Sequence, residues 1–329
     1  MSVIHGGDVW QGLRPGDYLD FSANLNPEGP PEWVRRAMAA GLENAPYYPD
    51  LRQRAALAGM AAHLGLPGDC LLLTGGGIEA AAIAAKLPTD GGHVIAQPTF
   101  QEYGHLCGVH RDAARLQIRD CAPRAGECLW LCNPNNPTGD ALPREDVLAL
   151  LKRTEAVGGR LVVDEAFIDY CPQHSVRDAV RTHPALVVLG SLTKVLAIPG
   201  VRLGYLAAHP SVIAGLSEGL APWRLNCVAD AVATALPGHE ADFAAIRALN
   251  EERREAFAGM LASVGIAVFP SDANFLLCDF GRDMRPEIER LRRRGILVRP
   301  CGMFPGLTHG HVRLCVRTEG ENAMLAEAL

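Results

Sequence analysis

The chain has 329 residues, with 31 Lys and Arg against 37 Asp and Glu, for a formal charge of −6. At about 100 to 200 residues per domain, that length predicts about two domains with a sizeable core, and Gly plus Pro, about one residue in six, is too sparse for low-complexity disorder. Mild acidity without a long run of one sign excludes a nucleic-acid or polybasic membrane surface as the main interface, and no stretch nears the ~18 uninterrupted apolar residues of a membrane span, so the expected partner is a small molecule.

In chain order, the start from Met1 to Gly7 lacks the basic and apolar regions of a leader, which gives a cytoplasmic expectation. The first ~30 residues carry Pro15, Pro27, Pro30 and Pro31 and are expected to run as an extended arm rather than a long helix. From about residue 70 to 210, short apolar runs at 70–74, 93–97, 128–133, 160–164, 186–190 and 203–207 alternate with amphipathic segments, among them helices at 79–86, 144–156 and 175–182. This is the pattern of an α/β fold, a mostly parallel sheet covered by helices on both faces. After about residue 240 the texture changes. A long charged helix over 240–261 precedes strands at 266–269 and 274–278, a basic helix at 286–294, strands at 297–299 and 311–316, and a last helix at 319–329, which suggests a second, smaller α+β domain.

The ten cysteines are scattered from Cys70 to Cys315 and are expected to be reduced core thiols. Cys128 and Cys132 fall on one face of a strand, and His309-Gly310-His311 reads as a turn, so no metal site is expected.

In an open parallel sheet, ligands bind beyond the carboxyl ends of the strands. There the chain places Gly75-Gly76-Gly77 and a helix start, Phe100 after Pro98-Thr99, Asn135-Asn136-Pro137-Thr138-Gly139, Asp164-Glu165, and Ser191-Leu192-Thr193-Lys194. Singly each has an ordinary reading: a turn for the glycines and for the Asn-Pro segment, a helix cap for Asp164, a solvated charge for Lys194. Five such signals at five strand ends point to one site. The set suits pyridoxal phosphate. That cofactor needs a lysine amine to condense with its aldehyde, a carboxylate facing the pyridine nitrogen, a donor near the phenolic oxygen, a ring stacked on its face, and helix-start N–H groups with Ser and Arg for its phosphate. Lys194, Asp164, Asn136 and Phe100 fill the first four roles, and the amides around Gly76, Gly77 and Ile78 with Ser191 and Arg202 form the phosphate cup. Gly75 to Ala80 also satisfies a G-x-G-x-x-A dinucleotide pattern, but the next strand ends on Gln97-Pro98 with no acidic residue for a ribose. A noncatalytic regulator on the same fold would be favoured by a missing lysine, and Lys194 is present.

The segment Ser191-Leu192-Thr193-Lys194-Val195-Leu196-Ala197-Ile198-Pro199-Gly200-Val201-Arg202-Leu203-Gly204 resembles the signature of the class I/II aminotransferase-fold enzymes, and Asn135 to Gly139 and Val163-Asp164-Glu165-Ala166-Phe167 match in the same order. The resemblance covers essentially the whole chain. It implies a fold-type-I architecture with a large cofactor-binding domain over 30–238, a small domain from 1–29 and 239–329, and a homodimer in which Tyr48 of Tyr47-Tyr48-Pro49-Asp50 crosses to the partner's cofactor phosphate. Within the superfamily, His5-Gly6-Gly7 and the arm Leu19 to Pro27 resemble the threonine-phosphate decarboxylases, relatives of the histidinol-phosphate aminotransferases, and Phe167 fits that branch because the aminotransferases usually carry tyrosine there. This implies a small phosphorylated amino-acid substrate. Its α-carboxylate would meet Arg313, and its phosphoryl group would meet His5, Ser22 and Asn24 with Arg317, while Arg299 reads as a surface charge. The expected reaction is loss of CO₂ from L-threonine O-3-phosphate, with transamination as the alternative.

Overall fold

Runs of mainly apolar residues four to six long become the inner strands of the larger sheet, and the helices between them supply its two covering layers. The computed structural model describes Gly6, Gly7, Val9 and residues 15–329. Along the chain it comprises β1 (Leu19–Asp20), α1 (Glu32–Leu42), α2 (Arg54–Leu64), β2 (Leu71–Thr74), α3 (Gly77–Ala84), β3 (His93–Gln97), α4 (Glu102–Cys107), β4 (His110–Ala114), β5 (Cys128–Cys132), α5 (Arg144–Ala156), β6 (Arg160–Asp164), β7 (Leu186–Ser191) and β8 (Gly204–Ala208). Then come α6 (Pro210–Ser217), α7 (Cys227–Thr234), α8 (Glu240–Ser263), β9 (Ala267–Val268), β10 (Phe275–Asp279), α9 (Arg285–Arg293), β11 (Ile296–Leu297), β12 (Arg299–Pro300), β13 (His311–Cys315) and α10 (Glu319–Ala328).

Seven strands form one sheet in the order β2-β8-β7-β6-β5-β3-β4, parallel throughout except β8, which runs antiparallel to both β2 and β7. Side chains of successive residues alternate between its faces. Leu129, Leu131, Leu161, Val163, Leu186 and Val188 pack with α1, α2, α5 and α7, whereas Cys128, Trp130, Cys132, Val162, Val187 and Leu189 pack with α3, α4 and α6. Burial on both faces explains why these strands read as unbroken apolar runs.

A second, antiparallel sheet has the order β12-β13-β10-β9 and its own core, to which α8, α9 and α10 contribute Phe257, Leu261, Leu291 and Leu325. The arm joins that core. β1 pairs with β11, Leu19 opposite Ile296, and Phe21 is fully buried there. Helix α8 spans both units, with Phe243 in the large core and Phe257 and Leu261 in the small one.

The stretch expected as a helix at 175–182 is instead a 3-10 turn at Arg177–Arg181. The Ser175 hydroxyl and the Val176 amide donate to the Glu165 carboxylate at 2.6 and 2.7 Å, which ties the start of this segment to the residue after β6. The edge strand β4 and the helices α1, α2 and α7 were not foreseen from the sequence.

Candidate active site

Between the carboxyl edge of the large sheet and the small sheet lies a cavity of about 600 Å³. The parallel topology brings five chain segments to this edge, and all five line the cavity: Gly77 and Ile78, Phe100, Asn136, Asp164, and Ser191 with Lys194 and Arg202.

Lys194 follows β7 by three residues, and its carbonyl accepts the Asn26 amide at 3.1 Å, so the arm is pinned to the lysine loop. Burial, aided by the Arg313 and Arg202 guanidiniums, pushes its ammonium down to about 8 despite the attraction of Asp164. An amine so shifted is a nucleophile near neutral pH. Asp164 ends β6 and is buried, which raises its carboxyl above the usual range against the pull of two hydrogen bonds. Tyr103 Oη donates to Oδ2 at 2.5 Å and the Ala166 amide donates to Oδ1 at 2.9 Å.

The Asn136 Oδ1 accepts from Arg313 Nη1 at 2.5 Å, which orients the side-chain amide and leaves its Nδ2 as the donor to offer the cavity. Helix α3 starts at Gly77, and its first amides have no intrahelical acceptor. Gly76 has φ 92°, and a Cβ there would stand 2.6 Å from Arg202 Nη2, so the glycine admits that guanidinium over the helix start. Gly77 faces Ser191, whose hydroxyl shares a 2.8 Å hydrogen bond with Thr193. Arg202 itself has φ 64° and is braced on the Pro199 carbonyl at 3.0 Å.

The opposite wall comes from the small sheet and the arm. On β13, Val312 and Leu314 enter the small core while Arg313, between them, points to the cavity. It is 6 % exposed, donates to the Ser22 carbonyl at 2.5 Å, lies over Phe275, and has Nε without a partner. Burial pushes it down to about 10. Opposite it in register on β12 is Arg299, 5 % exposed, lying over Phe304 with Nη1 unpartnered. Arg299 is therefore no surface charge. Its strand partner carries it inward, and burial lowers it too. Ser22 and Asn24 line the cavity, and Asn24 Oδ1 is buried without a partner.

Arg317 does not join them. β13 ends at Cys315, Thr318 caps α10, and Arg317 turns away to the Asp20 carbonyl at 2.9 Å and Glu321 Oε1 at 2.8 Å. Tyr48 is 82 % exposed and lies beside Trp223 at 4.8 Å, outside its own chain's cavity. His5 lies outside the described residues. Sequence reasoning missed Tyr103 and Arg299. The signals were a polar ring one helical turn after Phe100 and an arginine in an otherwise apolar strand.

These residues fit pyridoxal phosphate. A depressed lysine, a held carboxylate, an oriented amide, the ring of Phe100, a helix start opened by Gly76 and two guanidinium-bearing walls surround one cavity, and the unpartnered N–H groups of Arg299 and Arg313 await an acceptor. Among the described residues, no group of three or more His, Cys, Asp or Glu is placed to hold a metal, and no helix is long and apolar enough to cross a membrane.

A family model, aminotransferase class I and II, matches residues 16–329. The chain is 33 % identical to a threonine-phosphate decarboxylase of Salmonella typhimurium across 99 % of this chain and 95 % of that protein. It is 32 % identical to a histidinol-phosphate aminotransferase of Symbiobacterium thermophilum across 98 % and 92 %. Its fold matches the crystal structure of L-threonine-O-3-phosphate decarboxylase from Porphyromonas gingivalis with a TM-score of 0.85 at 23 % identity, over 94 % of this chain and 97 % of that one.

Proposed function

The chain belongs to the class I and II aminotransferase family, pyridoxal-phosphate-dependent enzymes of fold type I, and from that premise we propose that it decarboxylates L-threonine O-3-phosphate to (R)-1-amino-2-propanol O-2-phosphate. The observation that carries this reading is the pair Arg299 and Arg313, two buried guanidiniums opposite each other on adjacent strands and facing one cavity. A buried cation without an anion is costly, and a small molecule with a carboxylate at one end and a phosphate at the other satisfies both. Phe167, which lines the cavity against Phe275 and has no hydroxyl to offer, supports the same branch, as does the decarboxylase relative.

When bound, pyridoxal phosphate supplies an aldehyde that captures the substrate amine and a ring that takes up the electron pair released at Cα. Lys194 Nζ would hold the cofactor between turnovers, and Asp164 would keep a proton on the ring nitrogen. Asn136 would donate to the phenolic oxygen, Phe100 would cover the ring face, and the Gly76, Gly77 and Ile78 backbone with Ser191 and Arg202 would hold the cofactor phosphate. Arg313 grips the substrate carboxylate and Arg299 the phosphoryl group, with Ser22, Asn24 and His5 beside it. These two anchors would set the rotation of the bound substrate about its N–Cα bond, and so decide which Cα bond is placed to break. Lys194 Nζ would be the group that returns a proton to Cα in place of the lost CO₂.

Two further parts complete the reading. Residues 30–238 form the large domain, and 1–29 with 239–329 form the small one. The exposed apolar side chains of Leu42, Tyr47, Tyr48, Leu51 and Trp223 form a homodimer face that delivers Tyr48 to the partner's cofactor phosphate. Histidinol-phosphate transamination is the second reading, on the strength of the aminotransferase relative. The test is incubation of holoenzyme with threonine phosphate and, separately, with histidinol phosphate plus 2-oxoglutarate. CO₂ from the first with no glutamate from the second is the expected result, and the reverse selects the aminotransferase.

A further inference from the structure

Tyr103 has no part in the reading above, yet it touches the residue on which that reading leans. It is 1 % exposed, one helical turn after Phe100, with its ring edge-on to Phe100 at 5.5 Å and tilted against Trp130 at 5.4 Å. Its phenol donates to Asp164 Oδ2 at 2.5 Å, and the Ala166 amide takes the other carboxylate oxygen. The remaining groups facing Asp164 are Lys194, whose charge attracts it, and Cys132 on β5, whose thiol burial pushes up to about 12 and keeps uncharged. Burial works against the charge of Asp164, and a neutral acid could not pair with a protonated ring nitrogen. We propose that Tyr103 is a positioning residue that keeps Asp164 ionised and fixes the rotation of its carboxylate; this rests on the reading that Asp164 faces the cofactor's ring nitrogen.

Tyr103→Phe keeps the ring packing and removes only the donor. In the apoenzyme, the stability of this variant is expected to fall further below that of the parent as pH rises from about 4 to 8. A carboxyl whose folded pKa is raised penalises folding only above its unfolded value of about 3.9, and loss of the donor raises the folded value further. A deficit that does not change with pH is the mark of lost packing alone and overturns the proposal. In the holoenzyme, the acid limb of the pH profile of cofactor absorbance is expected to move up and kcat to fall about tenfold with KM little changed, the size expected for a lost hydrogen bond to a charged group. A fluorinated tyrosine at position 103, a more acidic and stronger donor of the same shape, moves the limb the other way, and it gives the answer should Tyr103→Phe fail to fold. An unmoved limb with it overturns the proposal. Asp164→Asn separates the two failures. Parental absorbance and turnover in that variant overturn the reading of Asp164 itself, whereas an impaired Asp164→Asn beside a parental pH profile in Tyr103→Phe overturns only the role of Tyr103.

Discussion

The two walls of the cavity are built to different rules. On the sheet-edge wall, the polar side chains of Asp164, Asn136 and Ser191 already have partners within the chain, Tyr103 and Ala166 for the first, Arg313 for the second and Thr193 for the third, while the first amides of α3 stay open. On the wall made by the arm and the small sheet, the donors Arg299 Nη1 and Arg313 Nε are buried with none, and the acceptor Asn24 Oδ1 is buried without a donor. A wall with its hydrogen bonds made is preorganised for a resident group, while a wall of buried donors left open is stabilised only when an anion arrives. If the cofactor sits on the first wall and the substrate on the second, as proposed, variants on each should fail in different ways.

The largest effect is expected at Lys194. Lys194→Ala removes the only lysine that faces the cavity among the described residues, and turnover should fall by about four orders of magnitude or more, as for loss of a nucleophile, while the variant folds. Borohydride should fix the cofactor to the peptide holding Lys194 in the parent and not in the variant. The depressed ammonium gives a pH signature as well. Capture of pyridoxal phosphate by the apoenzyme should accelerate as pH rises through about 8, where the neutral amine becomes dominant. Because the folded pKa is lowered, the unfolded chain holds its proton longer, so this group's contribution to stability should rise between about pH 8 and the ordinary lysine value of 10.5.

Next is the carboxylate on the same wall. Asp164→Asn keeps the shape but can accept only one of the two hydrogen bonds from Tyr103 and Ala166, and it loses the charge proposed to face the ring nitrogen. It should bind cofactor and lose at least about two orders of magnitude in turnover, the scale of one major electrostatic contribution. Turnover near parental values would place the charge requirement elsewhere.

The difference between the walls also explains what the sequence made legible. The cofactor side is local. Each residue directly follows its own strand, so Lys194, Asp164, Asn136 and Phe100 could be read from runs and strand ends, and the parallel topology then brought them together. The substrate side depends on pairing between distant segments. Arg299 is turned inward by its place opposite Arg313, a register that no run of residues near it announces, and the same pattern with a different end to β13 would have sent Arg317 inward too. Tyr103 was hidden for a related reason: its partner is 61 residues away in sequence. The segment 175–182 forms a 3-10 turn rather than the expected helix, and its start is tied to Glu165, a contact that its own residue pattern does not announce.

On the substrate wall, the effects should be smaller and should depend on what the substrate carries. Arg299→Gln is expected to lower kcat/KM for the phosphorylated substrate about ten- to a hundredfold and to change little with a substrate lacking the phosphoryl group, since a charge-assisted contact is removed only for the former. Arg313→Gln should impair both, because the carboxylate is common to them. Equal losses with both substrates in Arg299→Gln would remove the phosphoryl assignment and leave Arg299 as a support for Phe304.

The smallest catalytic effect is expected at Arg317, and it sharpens the boundary of the substrate wall. Its guanidinium lies over Phe21 and joins the Asp20 carbonyl to Glu321, which also belongs to the capping box of α10. Burial alone would push the Glu321 carboxyl up, but Arg317 and Thr318 outweigh it and hold it below the usual range. Arg317→Gln should therefore leave kinetics with the phosphorylated substrate within about twofold while costing about 1 kcal/mol of stability, the scale of a hydrogen bond and ion pair in a partly buried setting. The sign with pH follows from the lowered carboxyl. Its contribution is present above the unfolded Glu value and is lost as pH falls through the folded one, so the stability gap between parent and variant should narrow in acid. Thermal melts of the two proteins at neutral and acid pH, beside one set of steady-state kinetics, distinguish a strut of the small unit from a ligand of the substrate. A hundredfold fall in kcat/KM for Arg317→Gln with unchanged melting would extend the anion-binding wall to this residue and undo the division drawn at the end of β13.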